Sequence, residues 1–379
     1  MEKFSAKNWS VPFARKSRVV YITFDTLTVF RSEGERVGNI IIQKAMIESA
    51  ITHSIKEMGD DPKRSVRRLA DLGKQFSKNR FQDQIFTVIQ ELLQNDDSAY
   101  YDMINNLLKN ADHDAIRQFG MNFGYMGWCY GAANIREEQK KEHRAIPWCV
   151  MLRIDECEED PIRTSELQNM VDTGQQLGIY VYFIRQKNIS RTPSEMLNFF
   201  MANPNCAFVW LRESGQMSAA EIQMLRNCRN VLPALPVADD ESLLTVTLLR
   251  DCRVLYSLYM EYDDSITQMD QQDIGDSLQH TINKVLTTES CMFFLVRKDG
   301  TLFSSAQYCY HSRLRQEYPC LIMDYYGDAD SLSNVTVDHR NLLEIGSDRK
   351  IILPEAHAGE TFDFSRPLRD CLCEIMPEI

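Results

Sequence analysis

From Trp148 onward the chain alternates short apolar runs with stretches whose apolar residues recur at three- and four-residue steps. Trp148–Ile154 follows Pro147, which blocks continuation of any preceding helix, and reads as a buried strand. A helical stripe over Ser165–Leu177 (Leu167, Met170, Val171, Leu177) stops at Gly178. Three further strand-then-helix pairs follow: Ile179–Ile184 with Pro193–Met201, Cys206–Leu211 with Ser218–Cys228, and Val231–Val237 with Glu241–Asp251. Val254–Met260 reads as another strand and Asp270–Thr288 as another helix. Such alternation is the signature of parallel β/α construction, wound either as a barrel or as an open sheet.

The pattern before residue 121 differs. Apolar residues at helical spacing (Ile40, Ile41, Ala45, Met46; Leu69, Leu72, Phe76; Leu92, Leu93; Ile104, Leu107, Leu108) predict a helical segment. Pro62 marks a helix start, and Asn95–Ser98 and Asp112–Asp114 supply caps. Val19–Phe24 and Thr26–Phe30 are rich in β-branched and aromatic residues and read as short strands. Beyond residue 288, Cys291–Val296 and Thr301–Phe303 read as a hairpin turned at Asp299-Gly300. Cys320–Met323 is strand-like, and a second hairpin is expected near Gly346. The expected organisation is a mainly helical domain over 1–120, a β/α domain over 121–288 and a small α+β tail over 289–379.

Composition narrows the function classes. The chain has 379 residues, of which 44% are hydrophobic, enough for a sizeable core. No apolar stretch reaches the roughly 20 residues of a membrane helix, and the first ten residues lack the apolar centre of a signal peptide; a cytoplasmic protein without membrane attachment is expected. A formal net charge of −12 opposes binding to phosphate backbones, so nucleic acid is not an expected partner. The 11 cysteines are scattered and read mostly as small buried apolar residues. Seven histidines form no HxH or HExxH pattern, and no Gly-rich phosphate loop is present.

The most informative stretch is Met121-Asn-Phe-Gly-Tyr-Met-Gly-Trp-Cys-Tyr130, the charged run Ile135–Arg144, and Ile146-Pro-Trp-Cys-Val-Met-Leu-Arg-Ile154. A Gly-Trp helical end, a charged linker and an apolar Pro-Trp strand in this order resemble the barrel entry of radical S-adenosylmethionine (radical SAM) proteins. The resemblance implies a partial (β/α) TIM-like barrel of about six units, and one unit between strand four and the helix at Asp270 reads as shortened or missing. It also implies a CxxxCxxC loop after the first strand, whose thiolates hold a [4Fe–4S] cluster that cleaves the cofactor. Here that loop, Asp155–Thr164, contains one cysteine, Cys157. The family's Gly-Gly-Glu-Pro-like turn after strand two, where the backbone approaches the cofactor, is replaced by Ile184-Arg-Gln-Lys-Asn188. Two cofactor determinants are lost, so no cofactor is expected.

Functional groups of parallel β/α folds sit at the carboxyl ends of the strands. The pocket candidates there are Asp155, Cys157, Arg185, Glu213, Asp239 and Glu261, on a rim that also carries Arg153, Gln186 and Arg212. No metal site is expected. Cys371 and Cys373 in the tail are the weak candidates, since alternation along a strand would bring both to one face. The expected function is a noncatalytic radical-SAM-like pseudoenzyme: a scaffold, regulatory subunit or binding partner whose protein partner is an active radical SAM enzyme. The alternative is an enzyme or small-molecule sensor with a rebuilt charged pocket at the strand ends.

Overall fold

A computed structural model describes residues 33–57, 62–75, 87, 89–155, 160–187, 191–262, 271–298 and 318–379. The proposed strands at 19–30, the turn at 299–300, the 301–303 strand and Cys157 lie outside these residues. The chain divides into two compact units, Met1–Met46 and Ile47–Ile379.

The helices before the sheet are α1 (Glu33–Glu57), α2 (Pro62–Gln75), α3 (Ala99–Asn110) and α4 (His113–Gly120). Pro62 opens α2, where its missing N–H costs nothing. Asp112 caps α4 by accepting from the Asp114 and Ala115 amides at 3.0 and 3.1 Å. Val66, Ala70, Leu93, Tyr100 and Tyr101 form a small core of their own.

After α4 the helix widens into a π-helical segment, Met121–Gly131, and continues as α5 (Ala132–Glu142). The charged run 135–144, expected as a linker, is therefore mostly helix. The reason lies in two residues of its inner face. Ile135 is fully buried, and Gln139 donates to Val337 O at 2.9 Å while accepting from the Ile146 amide at 2.9 Å. The helix ends at His143 in the left-handed conformation, φ 52°.

Among the described residues the sheet has nine strands, in the order β7-β6-β5-β4-β3-β2-β1-β8-β9. They are β1 (Cys149–Ile154), β2 (Val181–Gln186), β3 (Ala207–Arg212), β4 (Val231–Pro236), β5 (Ser257–Tyr262), β6 (Met292–Arg297), β7 (Leu321–Asp324), β8 (Leu343–Ile345) and β9 (Ile351–Leu353). All neighbouring pairs are parallel except β8 with β9. The connecting helices are α6 (Thr164–Leu177), α7 (Pro193–Ala202), α8 (Ala219–Asn227), α9 (Asp240–Asp251), α10 (Gln271–Thr287) and α11 (Tyr325–Val337), with α12 (Leu368–Ile375) near the end.

Two expectations are corrected here. The unit β4–α9–β5–α10–β6 is complete rather than shortened. And β6 is no hairpin arm, because β5 and β7 occupy both its edges in parallel. The hairpin expected near Gly346 is present as β8 and β9.

The sheet is strongly curled. Arg185 on β2 and Glu261 on β5 form an ion pair of 2.7 Å, although three inter-strand steps would separate their strands by about 14 Å if flat. Tyr259 on β5 likewise reaches Arg212 O on β3 at 2.9 Å. The sheet ends at β7 on one side and β9 on the other, so it is an α/β fold with the form of a partial TIM-like barrel.

The inside of the curl is filled. Trp148 is fully buried, packs edge-on to Phe123 and Phe183 with ring centroids 6.1 and 6.3 Å apart, and donates from its indole to Ala329 O at 2.9 Å. Phe183 meets Tyr325 at 5.3 Å, and Tyr325 meets Tyr326 at 4.9 Å. The start of α11 thus lies against strands β1 and β2 from within.

The π-helical segment approaches the β1–β2 connection without room for side chains. A Cβ on Gly131 would stand 2.2 Å from Gly178 O and 2.6 Å from Met126 O, and Gly178 itself has φ +103°. Both obstacles are backbone. Gly131→Ala is accordingly expected to lower stability by about 1–3 kcal/mol, measured as a fall in the urea unfolding midpoint; an unchanged midpoint would contradict the packing described.

Candidate functional site

Strand alternation places Arg153, Arg185 and Glu261 on the concave face near the carboxyl ends of β1, β2 and β5. Arg153 and Arg185 are register partners on adjacent strands, an arrangement of like charges that needs counter-charge. Glu344 on β8 provides it, and Tyr326 at the start of α11 adds a neutral hydrogen-bonding hydroxyl. Arg153 Nε donates to Glu344 Oε1 at 2.9 Å, and its Nη2 donates to Tyr326 Oη at 3.1 Å and to Glu344 Oε2 at 3.4 Å. Tyr326 Oη donates to Glu344 Oε1 at 2.8 Å and accepts from Arg185 Nη1 at 3.2 Å. One hydroxyl therefore uses its proton and both lone pairs.

Arg185 completes its contacts through Nη2, which donates to Glu261 Oε1 at 2.7 Å. Burial deepens along this chain of charges. The Glu344 side chain is 0% exposed, Arg185 9%, and Glu261 33%. Burial, reinforced by Glu344, raises the Tyr326 pKa, so the phenol stays protonated. Burial works to lower the pKa of both arginines, but Glu344 and Tyr326 around Arg153, and Tyr326 and Tyr325 around Arg185, outweigh it and raise both.

The other expected pocket residues fall elsewhere. Asp155, in a left-handed backbone conformation (φ 58°), is buried beneath the rim. It accepts from Gln186 Nε2 at 2.6 Å, and Gln186 accepts from the Trp210 indole at 2.9 Å. Its other oxygen faces Arg191 Nε at 3.4 Å. Asp239 caps α9, accepting from the Glu241 and Gly215 amides at 3.0 Å each. Glu213 is exposed just past β3. Both lie within electrostatic reach of Tyr259, as do Glu261 and Arg185.

Of the six pocket candidates, then, Arg185 and Glu261 make direct contact, Asp155 belongs to a separate buried cluster, and Cys157 lies outside the described residues. Tyr326 and Glu344 were not anticipated. The only signal for them was Asp324-Tyr-Tyr326 ending a short strand-like run, and β8 is three residues long with no pattern of its own.

The cluster and cofactor implied by the resemblance can be tested against these donors. A [4Fe–4S] centre needs soft thiolates. The concave face offers guanidinium, phenol and carboxylate, and among the described residues no three His, Cys, Asp or Glu side chains gather as a metal site. The described residues do not fit the group.

Cys371 and Cys373 lie on helix α12, not on a strand. Two residues apart on a helix point about 200° away from each other, which turns the thiols to different sides. Burial pushes the Cys371 thiol up to about 11 and raises Cys373 as well. Iodoacetamide at about pH 7.5 is expected to leave Cys371 unmodified in the native protein, as read by peptide mass spectrometry; alkylation as fast as in the unfolded chain would contradict this.

No protein-family model matches the chain, and no curated protein matches it. Among solved structures it is similar to Streptococcus suis SuiB bound to the precursor peptide SuiA, with TM-score 0.45 and 9% identity over 64% of this chain and 68% of that one. SuiB bound to S-adenosylmethionine gives 0.44 at 9% identity, covering 64% and 67%. The carboxyl transferase domain of Rhizobium etli pyruvate carboxylase gives 0.37 at 9%, covering 65% of this chain and 51% of that one. At TM-scores of this size none of these likenesses carries an argument about ligand or activity. No helix among the described residues is long and apolar enough to cross a membrane.

Proposed function

We propose that the chain is a noncatalytic, radical-SAM-like protein acting in the cytoplasm as a scaffold, regulatory subunit or binding partner, with an active radical SAM enzyme as its protein partner. The observation that supports this reading is the closed network Arg153–Glu344–Tyr326–Arg185–Glu261. It stands at the strand ends where such a fold builds chemistry, and its guanidinium, phenol and carboxylate groups bond one another. Arg185 is the penultimate residue of β2, beside the turn where the resemblance calls for a backbone bare of side chains. Its guanidinium points inward, onto Tyr326.

The reading is tested by reconstituting the protein anaerobically with iron and sulfide, adding a strong reductant and following S-adenosylmethionine by liquid chromatography. No cleavage above the protein-free control is expected. Protein-dependent cleavage would overturn the proposal.

A further inference from the structure

We infer that the carboxyl end of the curled sheet carries a binding site for a small organic carboxylate, which takes the place of the Glu261 carboxylate on Arg185. The inference rests on the noncatalytic reading only for the ligand's remaining unchanged.

The two guanidiniums of the network are not held alike. Arg153 has a fully buried counter-ion, Glu344, that bonds it through two of its nitrogens and is itself fixed by Tyr326. Arg185 is as deeply placed, yet its ion-pair partner among the described residues is Glu261, a third exposed and reaching in from a strand three steps away. A buried cation thus takes its counter-charge from a side chain at the water's edge. A soluble carboxylate of the same shape can make the same contact with Nη2 while Glu261 swings out to solvent.

A second group is aimed into the same interior without a partner. Tyr325 is 2% exposed, and its hydroxyl makes no hydrogen bond among the described residues. Arg185 and Glu344 both lie within its electrostatic reach. A buried hydroxyl in that state has lost its hydration and gained nothing; an acceptor oxygen arriving beside Arg185 would supply what it lacks. The position fits as well, since ligands of parallel sheets bind beyond the carboxyl ends of the strands. A carboxylate suits the site better than a phosphate. Glu344 lies on the other side of Tyr326 Oη, and a second negative charge on the ligand would meet it unfavourably.

The test is calorimetric titration of the full chain with propionate, which reproduces the part of Glu261 beyond its Cα. In Glu261→Ala the internal competitor is gone, so propionate is expected to bind about tenfold more tightly than to the unaltered protein. Tyr325→Phe, combined with Glu261→Ala, is expected to weaken that binding severalfold, and Arg185→Met with Glu261→Ala to abolish it. Equal affinity in Glu261→Ala and the parent, no loss with Tyr325→Phe, or inorganic phosphate binding at least as tightly as propionate would each overturn the inference. Should the Arg185 variant not fold, the other two comparisons still decide. Propionate recovered chemically altered would sink the noncatalytic reading and leave the binding intact, whereas absence of binding would do the reverse.

Discussion

Replacing Glu344 by alanine is expected to destabilise the protein by about 3–5 kcal/mol, the range found when one partner of a buried ion pair is removed. The mechanism is not the lost attraction alone. Glu344 is fully buried and touches both Arg153 and Tyr326. Without it the Arg153 guanidinium, 13% exposed, remains in the interior beside Arg185 with no carboxylate in contact among the described residues. Tyr326 at the same time loses the acceptor for its proton. Urea unfolding at neutral pH measures the effect. Glu261→Ala is the informative contrast, because its carboxylate is a third exposed and water can replace much of what it does for Arg185; its cost should fall well below that of Glu344→Ala. Similar midpoints for the two variants would show that depth of burial does not order these charges as described.

Trp148→Ala is expected to cost a comparable 3–5 kcal/mol, the range for deleting a large buried aromatic. Trp148 is fully buried where the π-helical segment, β1, β2 and α11 converge, with Phe123, Trp128 and Phe183 around it. Alanine would open a cavity among Phe123, Trp128 and Phe183, and would leave Ala329 O without its indole donor. Because α11 carries Tyr325 and Tyr326, the damage should reach the candidate site: propionate binding to Glu261→Ala should weaken when Trp148→Ala is added. Trp148→Phe, which keeps an aromatic ring but not the donor, should recover most of the stability. If alanine and phenylalanine behave alike, the volume argument is wrong.

Much of the β/α order was legible because its helices carry their own punctuation. Gly178 after Leu177, Pro193, and Ser218 with Glu221 mark ends that the structure reproduces to within a residue or two. Strands β2 and β5 begin two or three residues later than their apolar runs, since Ile179, Tyr180 and Val254–Tyr256 are buried on the way into the sheet without pairing in it. The charged segment 135–144 looked like a linker because its two inward residues include a glutamine, whose hydrogen bonds no hydropathy pattern reveals. Asp299-Gly300 matched a hairpin turn so well that Cys291–Val296 was read as a hairpin arm, whereas β6 lies between two parallel neighbours.

The candidate site was half legible for a related reason. Arg185 and Glu261 stand at the ends of recognisable strands, and placing functional groups there needs only the strand assignment. That they touch each other depends on curl, which periodicity does not encode. Tyr326 and Glu344 come from the last third of the chain, and β8 lies beside β1, nearly 200 positions earlier in sequence. Local pattern carries no trace of that pairing. Asp155 and Asp239 show the converse: both occupy the expected rim, but one is bound to Gln186 and the other to a helix N-terminus.

The most direct measurement is the iron and acid-labile sulfide content of the protein purified without oxygen. With one cysteine between β1 and α6 and the strand ends tied up by their own arginines and carboxylates, substantially less than one iron per chain is predicted; close to four irons with matching sulfide, lost on exposure to air, would contradict it.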